Sequence, residues 1–277
     1  MNHSPVQHST RSRDLPHNRL AICGATDIGA SRATNQDTFV IADLRSGDLS
    51  TACSRAEIPL SSQGILLLVC DGMGGAAAGE LAARITAEVI KHDLVEAGPA
   101  VAEHPDQFLK SAVWGANGAV LAEAQARPEA RGMGTTCTAA VLLPDRLFIA
   151  QVGDSRAYLL RDGCLELLTR DQTIAHQLLE SGILRPEDVG TFIHRHVLMQ
   201  AVGTRSTIEP IISESRLRPG DRILLCSDGL HGSVLDHQIA DILRGAADIN
   251  HAVPALIEAA LASGGADNVT VVVADCE

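Results

Sequence analysis

Residues 64–75 read GILLLVCDGMGG. An apolar run of strand formers carries one carboxylate, Asp71, onto a turn built from Gly72, Met73, Gly74 and Gly75. Glycine at this density removes side chains where backbone must come close to something or adopt a positive φ. The stretch therefore presents a carboxylate at a strand end beside bare backbone, where a hydrated cation can approach. Its meaning depends on what the rest of the chain brings to the same place.

The 277 residues, 45% of them hydrophobic, supply core for one large or two small globular domains. A net charge of −12 argues against the basic footprint of a nucleic-acid or anionic-membrane binder. No apolar run reaches the roughly 18 residues of a membrane span. The polar start MNHSPVQHSTRSRDLPHNR lacks the apolar segment of a signal peptide. The expectation is a cytoplasmic, monomeric protein with no nucleic acid and no membrane as partner. Residues 1–19 read as a flexible tail and 20–277 as one domain. The seven cysteines are odd in number, scattered and free of any C-x-x-C pair, so neither a disulfide framework nor a zinc ribbon is indicated. Cys164–Arg170, CLELLTR, has the C-x₅-R spacing of cysteine-dependent phosphatases, but LELLT is strand-like and lacks the glycines of a phosphate-cradling loop. We read that match as accidental.

Working outward from residues 64–75, apolar runs at 20–25 and 38–43 read as strands and 46–63 as a polar loop. Helical spacing covers 76–95, closed by Gly98-Pro99, and 105–125, where Gly115 and Gly118 weaken the pattern. Strands follow at 135–143, 146–152, 157–160 and 164–168, separated by turns such as Asp162-Gly163. Residues 171–202 break the β pattern with a short helix over 174–179, and read as a mixed flap. Strands at 208–213 and 222–226, helices at 236–244 and 253–262, and a last strand at 269–274 complete the chain. The order suggests packed antiparallel sheets covered by helix pairs.

Asp71, Asp154, Asp228 and Asp267 each sit where a β run meets a glycine, and Asp37 stands beside TFVIAD. Aspartate next to glycine is ordinary turn chemistry when met once. Five at strand ends are a different matter, because carboxylates that converge on one sheet edge repel unless they are protonated or bridged by cations. An all-oxygen set of this kind suits Mg²⁺ or Mn²⁺ rather than zinc. His194-Arg195-His196, on a loop without a cysteine partner, is thin evidence for zinc.

Gly29-x-x-Arg32-x-x-Asn35-Gln36-Asp37, Asp71-Gly72-Met73-Gly74-Gly75, Gly134-Thr135-Thr136, Val152-Gly153-Asp154-Ser155-Arg156, Ser227-Asp228-Gly229-Leu230 and Gly265-Ala266-Asp267-Asn268 resemble, in order, the motifs of the protein phosphatase 2C family of metal-dependent serine/threonine phosphatases, in its bacterial form. The resemblance spans nearly everything from residue 20. It implies an α+β fold, a four-layer αββα sandwich of two antiparallel sheets between helix pairs. It also implies that Asp71 bridges two Mn²⁺ or Mg²⁺ ions, with the Gly72 carbonyl as a further ligand. Asp228 and Asp267 would complete the first ion's shell, Asp37 would stand beside the second, and Asp154 would hold a third. Arg32 would bind the phosphate, and the catalytic set would be Arg32, Asp37, Asp71 and Asp228. Phosphorylated proteins are the implied substrates and a bacterial Ser/Thr kinase the opposing enzyme. Many eukaryotic members have histidine where this chain has Met73, which leaves the proton donor open between metal-bound water and a flap histidine, His194 or His196. The resemblance also gives the flap a part in substrate choice. His231 and Gly134-Thr135-Thr136 read as structural.

Overall fold

A computed structural model describes residues 19–47, 56–59 and 63–277. The expected tail, Arg19 apart, lies outside these residues, as does most of the expected loop over 46–63. One sheet runs in the order β3 (Ala56–Pro59), β1 (Arg19–Asp27), β12 (Val269–Cys276), β11 (Arg222–Cys226), β8 (Arg156–Arg161) and β9 (Cys164–Leu167). The other runs β10 (Ile211–Arg216), β7 (Arg146–Val152), β6 (Cys137–Leu142), β4 (Ile65–Met73) and β2 (Asp37–Asp43), with β5 (Gly134–Thr135) against the end of β4. Every described pairing is antiparallel. Helices α1 (Ala76–Ala97), the single turn α2 (Ala100–Glu103) and α3 (Pro105–Ala126) precede β5. The short α4 (Ile174–Glu180) lies in the flap, α5 (Asp228–His231) is one turn, and α6 (Asp236–Gly245) and α7 (Ile249–Ala262) follow.

Side-chain parity sorts these elements into four layers. In β4, Ile65, Leu67 and Val69 pack between the two sheets, while Leu66, Leu68 and Cys70 pack under α1 and α3. A strand buried on both faces reads as a continuous apolar run, which is why LLLVC carries no alternation. In β12, Val272 and Ala274 enter the inter-sheet core and Val269, Val271 and Val273 pack against α6 and α7. Three apolar interfaces thus stack between four layers, the αββα sandwich expected from the sequence.

Several boundaries moved for identifiable reasons. β3 lies within the expected 46–63 loop and adds to the free side of β1. The strand expected at 208–213 begins at Ile211, because Pro210 offers no N–H to the ladder. Ile208 is spent instead on the helix-side core, and its carbonyl accepts from Trp114 Nε1 at 3.0 Å. Helix α7 starts four residues before the expected Val253, since the Asp248 side chain accepts from the Asn250 and His251 amides and caps it. The expected 135–143 strand is broken at Thr136, whose amide turns to the Asp71 carbonyl. Gly115, a weakness by propensity, lets α3 approach α1: a Cβ there would stand 3.0 Å from Asp93 Oδ2.

Leu67 has no exposed surface at the centre of the inter-sheet core. Leu67→Ala should cost about 2–5 kcal/mol in urea unfolding, as large-to-small changes in packed cores do. A loss below about 1 kcal/mol would contradict this packing.

Candidate metal centre

The same parity that fills the inter-sheet core places the site. Asp37 and Asp71 are direct partners in the β2–β4 ladder and continue the inward-facing series Phe39, Ile41 and Ile65, Leu67, Val69. From the opposite sheet, Ser227 follows the inward Ile223 and Leu225, and Thr270 precedes the inward Val272. Both hydroxyls reach across the gap and donate to Asp37 Oδ2, at 2.8 Å from Ser227 and 2.7 Å from Thr270. One end of the apolar interior is therefore polar and joins the two sheets. Antiparallel order brings the end of β7, with Asp154 after it, the end of β11, with Asp228, and the start of β12, with Asp267, to the same edge.

A cleft of about 710 Å³ opens there. Asp71, Asp154, Asp228 and Asp267 line it with Arg32, Gly72, Met73 and His196. Asp37 is not among the lining residues and is buried. The Asp71 N–H donates to Thr136 Oγ1 and its carbonyl accepts from the Thr136 amide and the Thr135 hydroxyl, each at 2.9 Å. The glycines serve as the sequence suggested. A Cβ on Gly72 would lie 2.2 Å from the Gly79 carbonyl, so the turn packs directly on α1, and Gly74 and Gly75 take φ of 110° and 95°.

Charge within the site is unbalanced. Burial lifts the Asp71 and Asp154 carboxyls well above the usual range, and neighbouring carboxylates lift them further. For Asp71 those neighbours are Asp37, Asp228, Asp154 and Asp267, so the whole set interacts. Burial raises Asp37 to about 7, against the pull of its two hydroxyl donors. Asp228 is raised by burial and by Asp267. Arg32 donates to Asp267 Oδ2 at 2.6 Å, and Asp267 Oδ1 accepts from the Asn268 amide at 2.8 Å.

The residues fit divalent cations of the magnesium type. Asp37 Oδ1 and Asp228 Oδ1 are buried with no hydrogen-bond partner. An orphaned carboxylate oxygen inside a protein is costly and calls for a cation. Among the described residues no three Asp, Glu, His or Cys side chains close on one point. A donor set of carboxylates beside the Gly72 carbonyl suits Mg²⁺ or Mn²⁺, which take one or two carboxylates, backbone carbonyls and water.

The two flap histidines separate. His196 lines the cleft with Nδ1 3.9 Å from Asp228 Oδ2, whereas His194 lies outside the lining and meets Phe192 edge-on at 5.8 Å. His231 is structural, as read from sequence: its Nε2 lies 3.0 Å from the Asp154 carbonyl, and burial beside Arg156 pulls its pKa down to about 3. Residues without an assigned role in the sequence prove to be the site's braces. Asn268 donates to the Ile28 and Thr34 carbonyls at 2.9 and 3.0 Å and accepts from the Gln36 amide at 2.9 Å, fixing the loop that carries Arg32. Gln36 in turn donates to the Gly75 carbonyl at 2.8 Å. Thr270 had a signal in the sequence, the lone polar residue in VTVVVA. Gln172 had none, yet its side chain accepts from the Gly153 amide beside Asp154 at 2.8 Å and its carbonyl from Met199, closing the flap's root. At that root Arg156 grips Asp171 with two bonds, at 2.9 and 2.7 Å.

A two-sheet sandwich between helix pairs, with acidic strand ends and one arginine at a single edge, defines the class, and the chain belongs to the protein phosphatase 2C family, whose model matches residues 55–261. It is 41% identical to the serine/threonine protein phosphatase PstP of Mycobacterium tuberculosis over 92% of this chain. It spans only 45% of that protein's length. The serine/threonine phosphatase stp of Listeria welshimeri is 31% identical, covering 76% of this chain and 84% of its own. The M. tuberculosis PstP/Ppp crystal structure aligns with a TM-score of 0.79 at 36% identity, over 94% of this chain and 99% of that one. The PstP catalytic domain in complex with two manganese ions aligns at 0.75 with 34% identity and the same coverage.

The raised carboxyls set a pH dependence. Asp37 binds its proton more tightly folded than unfolded, so the stability it contributes is full below about 3.8 and is lost as pH rises to about 7. Without divalent cation the melting temperature should fall between about pH 4 and pH 7, and Mn²⁺ should raise it more at about pH 7.5 than at about pH 5, because ligands must be deprotonated to bind. Differential scanning fluorimetry with and without Mn²⁺ reads both; an Mn²⁺ shift independent of pH would remove the carboxylates from the proposed ligand set.

Proposed function

We propose that this chain is a metal-dependent protein serine/threonine phosphatase that hydrolyses phosphoserine and phosphothreonine in proteins and opposes a Ser/Thr kinase. The single observation that carries the reading is the convergence of Asp37, Asp71, Asp154, Asp228 and Asp267 on one edge of the sandwich, with Arg32 beside them. Asp71, the Gly72 carbonyl, Asp228 and Asp267 would hold two Mn²⁺ or Mg²⁺ ions with Asp37 behind the second, and Asp154 would serve a third. Such ions lower the pKa of water toward neutrality and place positive charge against phosphoryl oxygens.

The chain's own residues do the rest. Arg32 presents a planar fork that bonds Asp267 Oδ2 through one nitrogen, and the whole fork would match two oxygens of a phosphoryl group, which a lysine cannot reproduce. Thr136 and Thr135 fix the Asp71 backbone from both sides, so its carboxylate is aimed before any ligand arrives. Ser227 and Thr270 hold Asp37 from the opposite sheet, which keeps the two sheets in register at the site. Among the described residues no cysteine lines the cleft, and a cysteinyl phosphate has no place in this reading. The flap, with His196, Val197 and Leu198 on the cleft wall, is where a protein substrate would be discriminated. Monomeric state and cytoplasmic placement belong to the same reading; among the described residues no helix is long and apolar enough to cross a membrane.

Hydrolysis of p-nitrophenyl phosphate and of a phosphothreonine peptide should require Mn²⁺ or Mg²⁺ and stop with EDTA. Asp71→Asn and Asp228→Asn should each lower kcat at least about 100-fold, and Arg32→Ala should raise KM about tenfold or more, a loss in the range of a charge-assisted bidentate contact. Alkylation of the exposed Cys164 should leave the rate unchanged. Turnover without divalent cation, or its loss on alkylating Cys164, would refute the reading.

A further inference from the structure

We propose that Cys70 and Cys137 are a redox pair, and that their oxidation to a disulfide disarms the site through Asp71. The loss of activity rests on the phosphatase reading above; the disulfide itself does not. In the β4–β6 ladder Val69 stands opposite Thr138, so the next pair toward the site is Cys70 opposite Cys137. One step further on, the Thr136 amide donates to the Asp71 carbonyl. That pair is hydrogen-bonded, and in an antiparallel ladder its neighbour is not. Non-hydrogen-bonded partners have Cα atoms about 4.5 Å apart with side chains turned together, within the span of about 4.4–6.8 Å that a disulfide bridges. Both side chains lie on the α1 face with no exposed surface. Each of the other strand cysteines faces a different residue type: Cys23 faces Val273, Cys276 faces Leu20, Cys226 faces Val271 and Arg156, and Cys164 faces Arg161.

Position gives the pair its consequence. Cys70 directly precedes Asp71, and Cys137 directly follows Thr136, the residue whose hydroxyl and amide brace the Asp71 backbone. Drawing the sulfurs together to about 2.0 Å pulls on both strands at that brace. The chemistry needs a two-electron oxidant, here a peroxide. One thiol attacks hydrogen peroxide to give a sulfenic acid and one water. The second thiol attacks that sulfur, forming the S–S bond and releasing a second water. Dithiol reductants reverse the bond by exchange. Burial makes the reaction wait on a local opening, and α1, which packs on this face, begins without a side-chain cap. Peroxide is small enough to use such an opening, whereas bulkier alkylating agents stop at Cys164.

The test uses the Mn²⁺-loaded full chain carrying Cys164→Ser, treated with hydrogen peroxide, quenched with catalase, digested without reductant and read by mass spectrometry. The expected result is one crosslink joining the peptides of Cys70 and Cys137. Phosphatase rate should fall at least fivefold on the same time course, and dithiothreitol should restore both. Cys70→Ala in that background should keep its rate under peroxide, with Cys137→Ala as the second variant should the first not fold. No crosslink, a crosslink through Cys53 or another cysteine instead, or a Cys70–Cys137 crosslink with unchanged rate each overturns the proposal. The crosslink is read without turnover, so a protein inactive before oxidation counts against the phosphatase reading and not against the pair.

Discussion

Like charge gathered at the polar end of the inter-sheet space is the constraint on which the rest of the molecule depends. Asp37 and Asp71 face each other across one ladder, and burial together with Asp154, Asp228 and Asp267 lifts their carboxyls out of the usual range. Such a cluster is expensive when ionised and unpaired. It persists because the surrounding sandwich leaves it no alternative position. The inward parity of β2 and β4 is dictated by Phe39, Ile41, Ile65, Leu67 and Val69, and a slip of one residue would turn that whole apolar set outward. The large apolar term thus holds the smaller unfavourable electrostatic one in place, and cations then relieve it.

Polar residues around the cluster act on geometry rather than charge. Ser227 and Thr270 tie one sheet to the other through Asp37, Thr136 fixes Asp71, and Asn268 staples the Arg32 loop to the start of β12. The flap joins the body through Asp171 and Gln172 at one end and the pairing of Val202 with Thr135 at the other. Its exposed Ile183 and Ile193 contrast with the fully buried strands beneath. In the proposed reading the floor carries the chemistry and the flap the substrate choice. Met73, exposed on the cleft rim, contributes no proton donor, and His196 is the flap histidine that the fold brings to the lining.

Much of this was legible in the chain. GILLLVCDGMGG announces a strand buried on both faces and a turn that needs glycine, and the strand, close approach and positive φ values are all present. Helices α1, α3 and α6 and strands β7 and β11 follow hydrophobic period and turn chemistry closely. Misplaced boundaries arose where one residue admits two uses. Val253 reads as a helix start, but the Asp248 cap begins α7 earlier; Ile208 reads as strand, but plugs the helix-side core.

The sequence by itself determined packed antiparallel sheets covered by helix pairs, the aspartates at strand ends and the oxygen-only chemistry that suits Mn²⁺ or Mg²⁺, because hydrophobic period, turn glycines and ligand type are local properties; the four-layer order followed from the family resemblance. Only the tertiary structure decided which carboxylates face one another, that Asp37 lies behind the cleft, that His196 and not His194 reaches it, and that Cys70 stands opposite Cys137. Those are properties of register between strands tens to hundreds of residues apart, and register is set by the simultaneous burial of three apolar interfaces, which no single segment contains.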